Sequence, residues 1–416
     1  MKVLSLFDGM ACGMLAMMDA GVNVDRYVAF EIDKYAVRTS IHNFPMIEHR
    51  GDVFQANFTE FRGFDFLVGG SPCTYWSIAK KNNRETEASG MGWELFSQYV
   101  RALHEANPKY FIYENNKSMS KAIRESITKT FGFEPICINS ALVSAQNRQR
   151  LYWVGKRNPD GTYSRVKVEQ PEDRGILLRD VLDGNIRIPE YGTDKARPLN
   201  AYYSNNCGGF WLRMFSENPN KQQVDMVAVP CGVGYRGRME DGKWVKRYES
   251  NGEPKANALT TALTDSMVSE PIRVGAQPRP NGELSTSQAF RIYSADGKSV
   301  NITAGGGGAG GKTGLYAIPV EFDGNIPTKE ISCADGKTYP VYQVKDGFIT
   351  IKGKSYPIKL VDGYYIIRKL TVSECKRLQT VPEWYEFPVS DSQAYKMLGN
   401  GWTVQVIVHI LSFMDF

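Results

Sequence analysis

The sequence predicts an α/β protein with a doubly wound, Rossmann-like sheet and a second unit rich in β-strands and loops. Up to about residue 160, short β-rich runs alternate with helical stretches, as such a sheet requires. From residue 161 to 365 the chain is dominated by glycine, turn dipeptides and short hairpin-like runs. After residue 366 helical periodicity returns, so we expect this segment to complete the first unit. The predicted domains are therefore 1–160, 161–365 and 366–416.

The first part is expected to contain four strands, at residues 3–7, 27–31, 64–68 and 110–113. Leu95, Tyr99 and Leu103 recur at helical spacing, so residues 94–105 are predicted to form a helix with one face on the sheet. Residues 347–351 are typical of a hairpin strand in the second part. Helices are predicted again at 373–378 and 404–413.

The composition narrows the class of protein. A chain of 416 residues with 42% hydrophobic and 23% charged residues is expected to fold into two structural units. It has no apolar run near the ~20 residues of a membrane span and no signal-peptide pattern, so we expect a cytoplasmic protein. Seven scattered cysteines without a C-x-x-C pair and only four histidines give no reason to expect a metal site. The net charge of +5 permits a polyanionic partner without indicating one.

The first chemical motif is an apolar strand that runs into a turn with Gly9 and Gly13 and then into a helix. Such a turn lets a nucleotide-like ligand approach the backbone, although any tight β–α turn also needs glycine. Glu31 ends the next strand, where a carboxylate can hold two ribose hydroxyls, and Asp52 offers an acceptor for an adenine amino group. Either acid alone could be a solvated surface residue. In series with the glycine turn they favour an adenosine-containing ligand.

The second motif presents Cys73 in a loop after a buried strand. A lone cysteine is more often an inert core residue than a nucleophile, but the carboxyl end of a strand is where α/β folds bind ligands. Glu114 ends another strand, and Arg148 and Arg150 lie on one edge of an extended segment. Singly these are an acidic strand end and a basic surface strand. Together they predict a cysteine, an acid and two guanidinium groups around one pocket.

Six motifs, in this order, resemble those of the DNA cytosine-5 methyltransferase family. They are Phe7-Asp8-Gly9, Ser71-Pro72-Cys73, Glu114-Asn115, Gln146-x-Arg148-x-Arg150, Arg368-Lys369-Leu370-Thr371 with Glu374 and Arg377-Leu378-Gln379, and Gly399-Asn400. The resemblance covers roughly half of the chain. Locally the first two motifs look most like the animal de novo enzymes, whereas the lack of a chromatin-reading domain favours a bacterial or phage type.

The resemblance implies the fold of the S-adenosylmethionine-dependent methyltransferases and methyl transfer to carbon 5 of cytosine in a specific duplex sequence. It implies that Cys73 adds to carbon 6 of a flipped-out base and that Glu114 protonates or hydrogen-bonds ring nitrogen 3 and the exocyclic amine. Arg148 and Arg150 would hold the carbonyl oxygen and the adjacent backbone, and their charge would favour the thiolate.

The resemblance also implies a binding set for S-adenosylmethionine. Its members are Phe7, Asp8, Gly9, Gly13, Glu31, Ile32, Asp52, Val53, Pro72, Asn400, Gly401 and Trp402. Residues 161–365 would form the target-recognition domain, with candidate DNA contacts at Arg236, Arg238, Lys243, Lys246 and Arg247. The loop with Lys80, Lys81, Asn82, Asn83 and Arg84 would close over DNA. Double-stranded DNA is the expected partner of a monomeric enzyme, with a restriction endonuclease as a further partner.

Some positions depart from the family pattern, namely Ala11-Cys12, Trp76, Asn116 and Gly401-Trp402. None removes a reacting group.

The stretch 306–313 formally fits a phosphate-binding loop, but a strand-like, proline-broken segment follows it instead of a helix. Two other functions fit this sequence less well. An RNA cytosine-5 methyltransferase is expected to carry a second cysteine where this chain has Tyr113-Glu114-Asn115, and a catalytically silent DNA-binding module would not need Cys73.

Overall fold

The computed structural model describes residues 1–77, 83–183, 271–279, 281–285, 287–302, 314–320, 330–333 and 336–416, together with the backbone of residues 233–240 and 243–250. The phosphate-loop-like stretch 306–313 lies outside the described residues, as do Lys80, Lys81 and Asn82. In the described part of the chain, no helix is long and apolar enough to cross a membrane.

The first sheet has eight strands in the order β3-β2-β1-β4-β5-β7-β6, with β8 paired to β7. The strands are β1 (Lys2–Leu6), β2 (Arg26–Phe30), β3 (Glu48–His49), β4 (Phe66–Gly69), β5 (Tyr110–Asn116), β6 (Ile136–Asn139), β7 (Gln149–Arg157) and β8 (Tyr163–Arg165). The first five run parallel, and β7 is antiparallel to its neighbours. The four predicted strands are confirmed as β1, β2, β4 and β5, each starting within two residues of the prediction.

Helices cover both faces of this sheet. In the described residues they are α1 (Cys12–Asp19), α2 (Lys34–Asn43), α3 (Gly90–Ala106), α4 (Lys121–Phe131), α5 (Val372–Leu378), α6 (Asp391–Asn400) and α7 (Val404–Leu411). Val3 and Phe66 face the layer that contains α1 and α7, whereas Leu4 and Leu67 face the layer that contains α3 and α4. Successive strand residues point to opposite faces, so β1 and β4 are buried on both sides, as expected for a parallel sheet.

The helix predicted at 94–105 is confirmed as part of α3, and those at 373–378 and 404–413 correspond to α5 and α7. Tyr99 of α3 is fully buried, and its hydroxyl donates a hydrogen bond of 2.7 Å to the Ile112 carbonyl of β5. Helix α7 packs against α1. The last segment of the chain therefore packs against a helix of the first unit, and its assignment to that unit stays a prediction.

A second sheet of eight strands has the order β11-β12-β13-β18-β15-β16-β17, with β14 paired to β15. Its strands are β11 (Arg273–Ala276), β12 (Arg291–Ser294), β13 (Leu315–Val320), β14 (Glu330–Ser332), β15 (Thr338–Lys345), β16 (Phe348–Ile351), β17 (Lys354–Pro357) and β18 (Gly363–Arg368). A separate antiparallel hairpin consists of β9 (Val233–Glu240) and β10 (Lys243–Ser250). The predicted hairpin strand at 347–351 is confirmed as β16.

The two sheets share buried contacts. Tyr293 of β12, Tyr316 of β13 and Ile366 of β18 belong to the same hydrophobic cluster as residues of α1 and α7. Lys298 is 1% exposed, and its ammonium group donates to the carbonyls of Ala141, Ser144 and Ile176. The predicted boundary between residues 365 and 366 falls inside β18, so strands near that boundary contribute to a common core.

Candidate active site

A cavity of about 600 Å³ opens at the carboxyl ends of β1, β2, β4 and β5, and this is the size of a small-molecule site. Most of the predicted site residues line it, namely Phe7, Asp8, Gly9, Glu31, Ile32, Pro72, Cys73, Glu114, Arg148, Arg150, Asn400, Gly401 and Trp402. Gly13, Asp52 and Val53 are not part of this lining. The Asp52 carboxylate accepts a hydrogen bond of 3.0 Å from the Phe54 backbone, and Val53 is buried.

The turn after β1 has an unusual backbone. Phe7, Gly9 and Ala11 have φ angles of 57°, 59° and 60°, in the left-handed region that glycine prefers. Ala11, one of the departures from the family pattern, is therefore a non-glycine residue in a conformation that costs a residue with a side chain about 1 kcal/mol. Helix α1 begins directly after it, at Cys12.

Glu31 connects the turn after β1 to the turn after β2 through hydrogen bonds to the backbone of both. Its Oε2 accepts a hydrogen bond of 2.8 Å from the Gly9 backbone, and its Oε1 accepts bonds of 2.8 Å from the backbones of Ile32 and Asp33. The sequence pointed to ribose hydroxyls as partners and gave no sign of these backbone contacts. A carboxylate has about four acceptor positions, so Glu31 retains capacity for a ligand hydroxyl.

Asp8 is a buried carboxylate with one satisfied oxygen. Its Oδ1 accepts hydrogen bonds of 2.6 Å from Ser5 Oγ and from the Tyr27 hydroxyl, whereas Oδ2 is buried without a partner. Burial raises the pKa of Asp8 to about 6, although the two hydrogen bonds oppose that shift. An unpaired buried acceptor is costly. This free acceptor therefore fits a ligand that places a cationic or hydrogen-bond-donating group beside Asp8.

Cys73 follows the loop after β4, in a one-turn helix that spans Cys73–Tyr75, and its thiol faces the cavity. Burial raises the pKa of this thiol. The positive charge of Arg150 opposes the rise, and the negative charge of Glu114 adds to it. The sequence prediction considered only the thiolate-favouring effect of the arginines. The net direction in the structure is toward the protonated thiol.

Glu114 lines the cavity, and both of its carboxylate oxygens have partners. Its Oε1 is 3.1 Å from Arg150 Nε, and its Oε2 accepts a hydrogen bond of 3.0 Å from Trp402 Nε1. A Cβ atom at Gly70 would lie 2.8 Å from Oε2 and 2.7 Å from the Glu114 backbone carbonyl. Only glycine at position 70 leaves room for this arrangement.

Arg148 has a different environment from Arg150. Its Nη1 donates to Asn301 Oδ1 at 2.8 Å and to the Ile302 carbonyl at 3.2 Å. Its Nη2 donates to the carbonyls of Gly399 at 3.1 Å and Gly401 at 2.8 Å. Burial, and then the charge of Arg150, lower the pKa of Arg148 to about 9. Arg148, next to β7 of the first sheet, thus contacts both the segment between β12 and β13 and the residues just before Trp402.

Trp76, a further departure from the family pattern, is fully buried and needs a partner for its indole N–H. Glu85 Oε2 accepts that hydrogen bond at 3.1 Å. Arg84 donates 2.9 Å and 2.6 Å hydrogen bonds to the carbonyls of Trp76 and Ser118. The described end of the loop after Cys73 is therefore attached to the segment after β5. The sequence gave no signal for these contacts.

Comparison with known protein families shows which family this chain belongs to. The sequence profile of the C-5 cytosine-specific DNA methylases matches residues 1–414. The chain belongs to this family. Like its family, this C-5 cytosine DNA methylase transfers a methyl group from S-adenosylmethionine to carbon 5 of cytosine in DNA, and the covalent cysteine adduct is standard for that chemistry.

Individual relatives agree with the family assignment. An orphan methyltransferase of Bacillus phage rho11s is 26% identical, over 99% of this chain and 97% of the relative. A type II methyltransferase of Herpetosiphon aurantiacus is 22% identical, over 99% and 97%. The solved methyltransferase EhMeth of Entamoeba histolytica aligns with a TM-score of 0.52 at 11% identity, over 99% of this DNA methylase and 97% of that chain. The last similarity supports the fold.

Proposed function

We propose that Cys73 is the nucleophile of this methylase, that Glu114 and Arg150 bind the target cytosine, and that S-adenosylmethionine occupies the adjoining part of the cavity. The observation that carries the proposal is that Cys73, Glu114 and the turn after β1 line one cavity. The nucleophile, the acid and the candidate cofactor site thus meet without a rearrangement of the sheet.

The candidate cofactor residues fit S-adenosylmethionine. Asp8 Oδ2 is a buried acceptor for the cationic methionine part of that molecule, and Glu31 can accept a ribose hydroxyl. Ile32 is 77% exposed beside the cavity and offers an apolar surface to an adenine ring. Asp52 and Val53 remain candidates for the outer edge of the site. When bound, the cofactor supplies an electrophilic methyl group.

The protein's own steps follow from the positions of the side chains. The Cys73 thiol gives up its proton to solvent, the thiolate forms a bond to carbon 6, and the π electrons of the carbon 5–carbon 6 double bond move toward carbon 5. Glu114 contacts ring nitrogen 3 and the exocyclic amine, while the guanidinium group of Arg150 holds the carbonyl oxygen and favours the thiolate. Once carbon 5 carries the methyl group, its proton passes to solvent, the electrons of that C–H bond restore the carbon 5–carbon 6 double bond, and Cys73 leaves as a thiolate. The base has to be extruded from the duplex first, at a cost of a few kcal/mol.

We assign sequence recognition to the segment 161–365. In the β9–β10 hairpin, Arg236 is paired with Arg247 and Arg238 with Val245, and paired residues share one face of an antiparallel ribbon. A two-stranded ribbon fits the major groove, where base edges are distinguishable. Lys243 and Lys246 also lie on β10. The candidate DNA contacts therefore lie close together on one element.

We further propose a monomeric enzyme that acts in the cytoplasm of a bacterial or phage-infected cell. Its relatives include both an orphan methyltransferase and a type II methyltransferase. Both a role with a restriction endonuclease and a self-protection role are therefore compatible with the family. Mapping of methylated cytosines in a host that expresses the chain identifies the target sequence.

The nucleophile is tested with duplex DNA that carries 5-fluorocytosine, because fluorine at carbon 5 cannot leave as the proton does. The wild type should form an adduct that survives denaturation, and Cys73→Ala should form none and have no turnover. Its affinity for S-adenosylmethionine should change only a few-fold. Cys137→Ala, at a half-buried cysteine outside the cavity lining, is the matched control. Turnover by Cys73→Ala would contradict the proposal.

A further inference from the structure

We propose that Trp402 is a positioning residue for Glu114, and not only a wall of the cofactor site. This inference rests on the role proposed above for Glu114. The resemblance to the family placed Trp402 among the cofactor-binding residues, and Gly401-Trp402 was one of the departures from the family pattern. Nothing in the sequence connected this residue to the catalytic acid.

The first argument is the geometry of the carboxylate. Trp402 Nε1 donates to Oε2 at 3.0 Å, and Arg150 Nε lies 3.1 Å from Oε1. Two donors on two different oxygens fix both the position and the rotation of the carboxylate plane. Glu114 is 9% exposed, so water is a poor substitute for either donor. The loss of one donor would leave the carboxylate free to rotate about the other.

The second argument is that Trp402 is itself held by the fold. The carbonyl of Gly401, the preceding residue, accepts a hydrogen bond of 2.8 Å from Arg148 Nη2. The hydroxyl of Thr403, the following residue, donates to Gln379 Oε1 at 2.8 Å. The indole also passes above α1, where Cζ3 lies 3.8 Å from the position of a Cβ on Gly13. The residues on both sides of Trp402 are fixed, so the reach of its N–H is set by the backbone.

The third argument concerns what the two halves of the side chain do. The ring of Trp402 lines the cavity in which we place the cofactor, while its N–H points to the acid that contacts the base. Removal of the N–H alone should therefore affect the chemical step and leave cofactor affinity nearly intact. Removal of the whole ring should affect both.

The test separates the N–H from the ring. Trp402→Phe keeps an aromatic ring without the donor, and replacement of Trp402 by β-(3-benzothienyl)alanine keeps the indole shape with sulfur in place of the N–H. Cofactor dissociation constants and single-turnover methylation rates at saturating cofactor are measured for both. We expect dissociation constants within about 3-fold of wild type and rates lower by about 10- to 100-fold, the scale of one hydrogen bond to a charged group.

The matched control is Trp384→Phe, at a tryptophan that is 52% exposed and makes an edge-to-face contact with Phe44. It should keep the wild-type rate. A wild-type rate in the benzothienylalanine variant would overturn the inference. So would a parallel loss of thermal stability, cofactor affinity and rate in that variant, because it would indicate a packing role.

Glu114→Gln distinguishes this inference from the proposed function on which it rests. If Glu114→Gln alone has the wild-type rate, the role of Glu114 is wrong. If Glu114→Gln is slow and Trp402→Phe is not, only the role of Trp402 is wrong. If both are right, Trp402→Phe should cause little further loss in the Glu114→Gln background, because the two changes act on one interaction. Rate losses that multiply would count against the inference.

Discussion

Arg368 and Glu374 form a fully buried, bidentate ion pair, with hydrogen bonds of 2.7 Å from Nη1 to Oε2 and from Nη2 to Oε1. Glu374 also accepts backbone hydrogen bonds from Thr371 at 2.7 Å and from Asp183 at 3.0 Å. The pair thus joins the end of β18 to the first turn of α5 and to the segment at Asp183. Both residues belong to a motif that sequence comparison alone associated with the family, without indicating what it does.

We predict that Glu374→Ala lowers the free energy of unfolding by about 3 to 5 kcal/mol, because it leaves the Arg368 charge buried without its partner. Urea denaturation measures the change. Glu383→Ala is the control, since Glu383 is 63% exposed and pairs with Arg377; it should cost less than about 1 kcal/mol. A small effect of Glu374→Ala would show that the buried pair is not required for stability.

The affinity for S-adenosylmethionine should depend on pH through Asp8. The pKa of Asp8 is about 6 in the folded protein, so its carboxylate is neutral below and charged above that value. A cationic cofactor should bind the charged form better, and the dissociation constant should fall as pH rises from 5 to 7 and then level off. Titrations from pH 5 to 8 test this. Asp8→Asn should bind weakly at every pH; an unchanged pH dependence in that variant would exclude Asp8.

The same pKa shift has a consequence for stability. In the unfolded chain the carboxyl should titrate near its ordinary value of 3.8, so between pH 4 and 6 the folded state holds the proton more tightly. The contribution of Asp8 therefore lowers folding stability as pH rises through that window. Urea midpoints at pH 4.5 and 7, compared between wild type and Asp8→Asn, measure its sign.

Adduct formation by Cys73 should accelerate with pH. Burial raises the pKa of the thiol, so only a small fraction is ionised near neutral pH, and that fraction grows up to about 10-fold per pH unit. Single-turnover formation of the 5-fluorocytosine adduct between pH 6.5 and 8.5 should follow this increase. Arg150→Gln removes the opposing positive charge and should slow the reaction at each pH. A flat profile in the wild type would mean that thiol ionisation does not limit adduct formation.

Arg148 and Arg150 should respond differently to substitution by lysine. Arg148 donates to four acceptors on two segments, which a single ammonium group cannot reach together, so Arg148→Lys should lower stability and cofactor affinity. Arg150→Lys should slow methylation with little change in cofactor affinity. Thermal melts, cofactor titrations and single-turnover rates separate the outcomes. If Arg148→Lys affects only the rate, Arg148 acts on the substrate as the family resemblance implies.

Exchange of residues 184–270 for those of a relative should change the methylated sequence and leave cofactor affinity intact. This exchange includes the β9–β10 hairpin but retains β12, β13, β18 and Lys298, which share buried contacts with the catalytic sheet. Sequencing of methylated DNA identifies the target. A chimera that folds and methylates the original sequence would place recognition in another part of the chain.

Local features of the site were predictable from the sequence, whereas its cross-connections were not. The strands that precede Asp8 and Cys73, and the strand that contains Glu114, follow from local hydrophobic pattern and turn residues. The partners of Arg148 and Trp402 do not, because Gly399 is 251 residues from Arg148 and Glu114 is 288 residues from Trp402 along the chain. A motif shows that a guanidinium or an indole is present. Which carbonyl or carboxylate it contacts depends on how distant segments pack.

The burial of Lys298 limits how the enzyme can accommodate DNA. Rotation of the second sheet away from the first would withdraw this ammonium group from the carbonyls of Ala141, Ser144 and Ile176, and a buried cation without acceptors costs several kcal/mol. The contact between the two sheets therefore resists rotation of one sheet relative to the other. We therefore expect base extrusion to involve local movements that leave the Lys298 contacts in place.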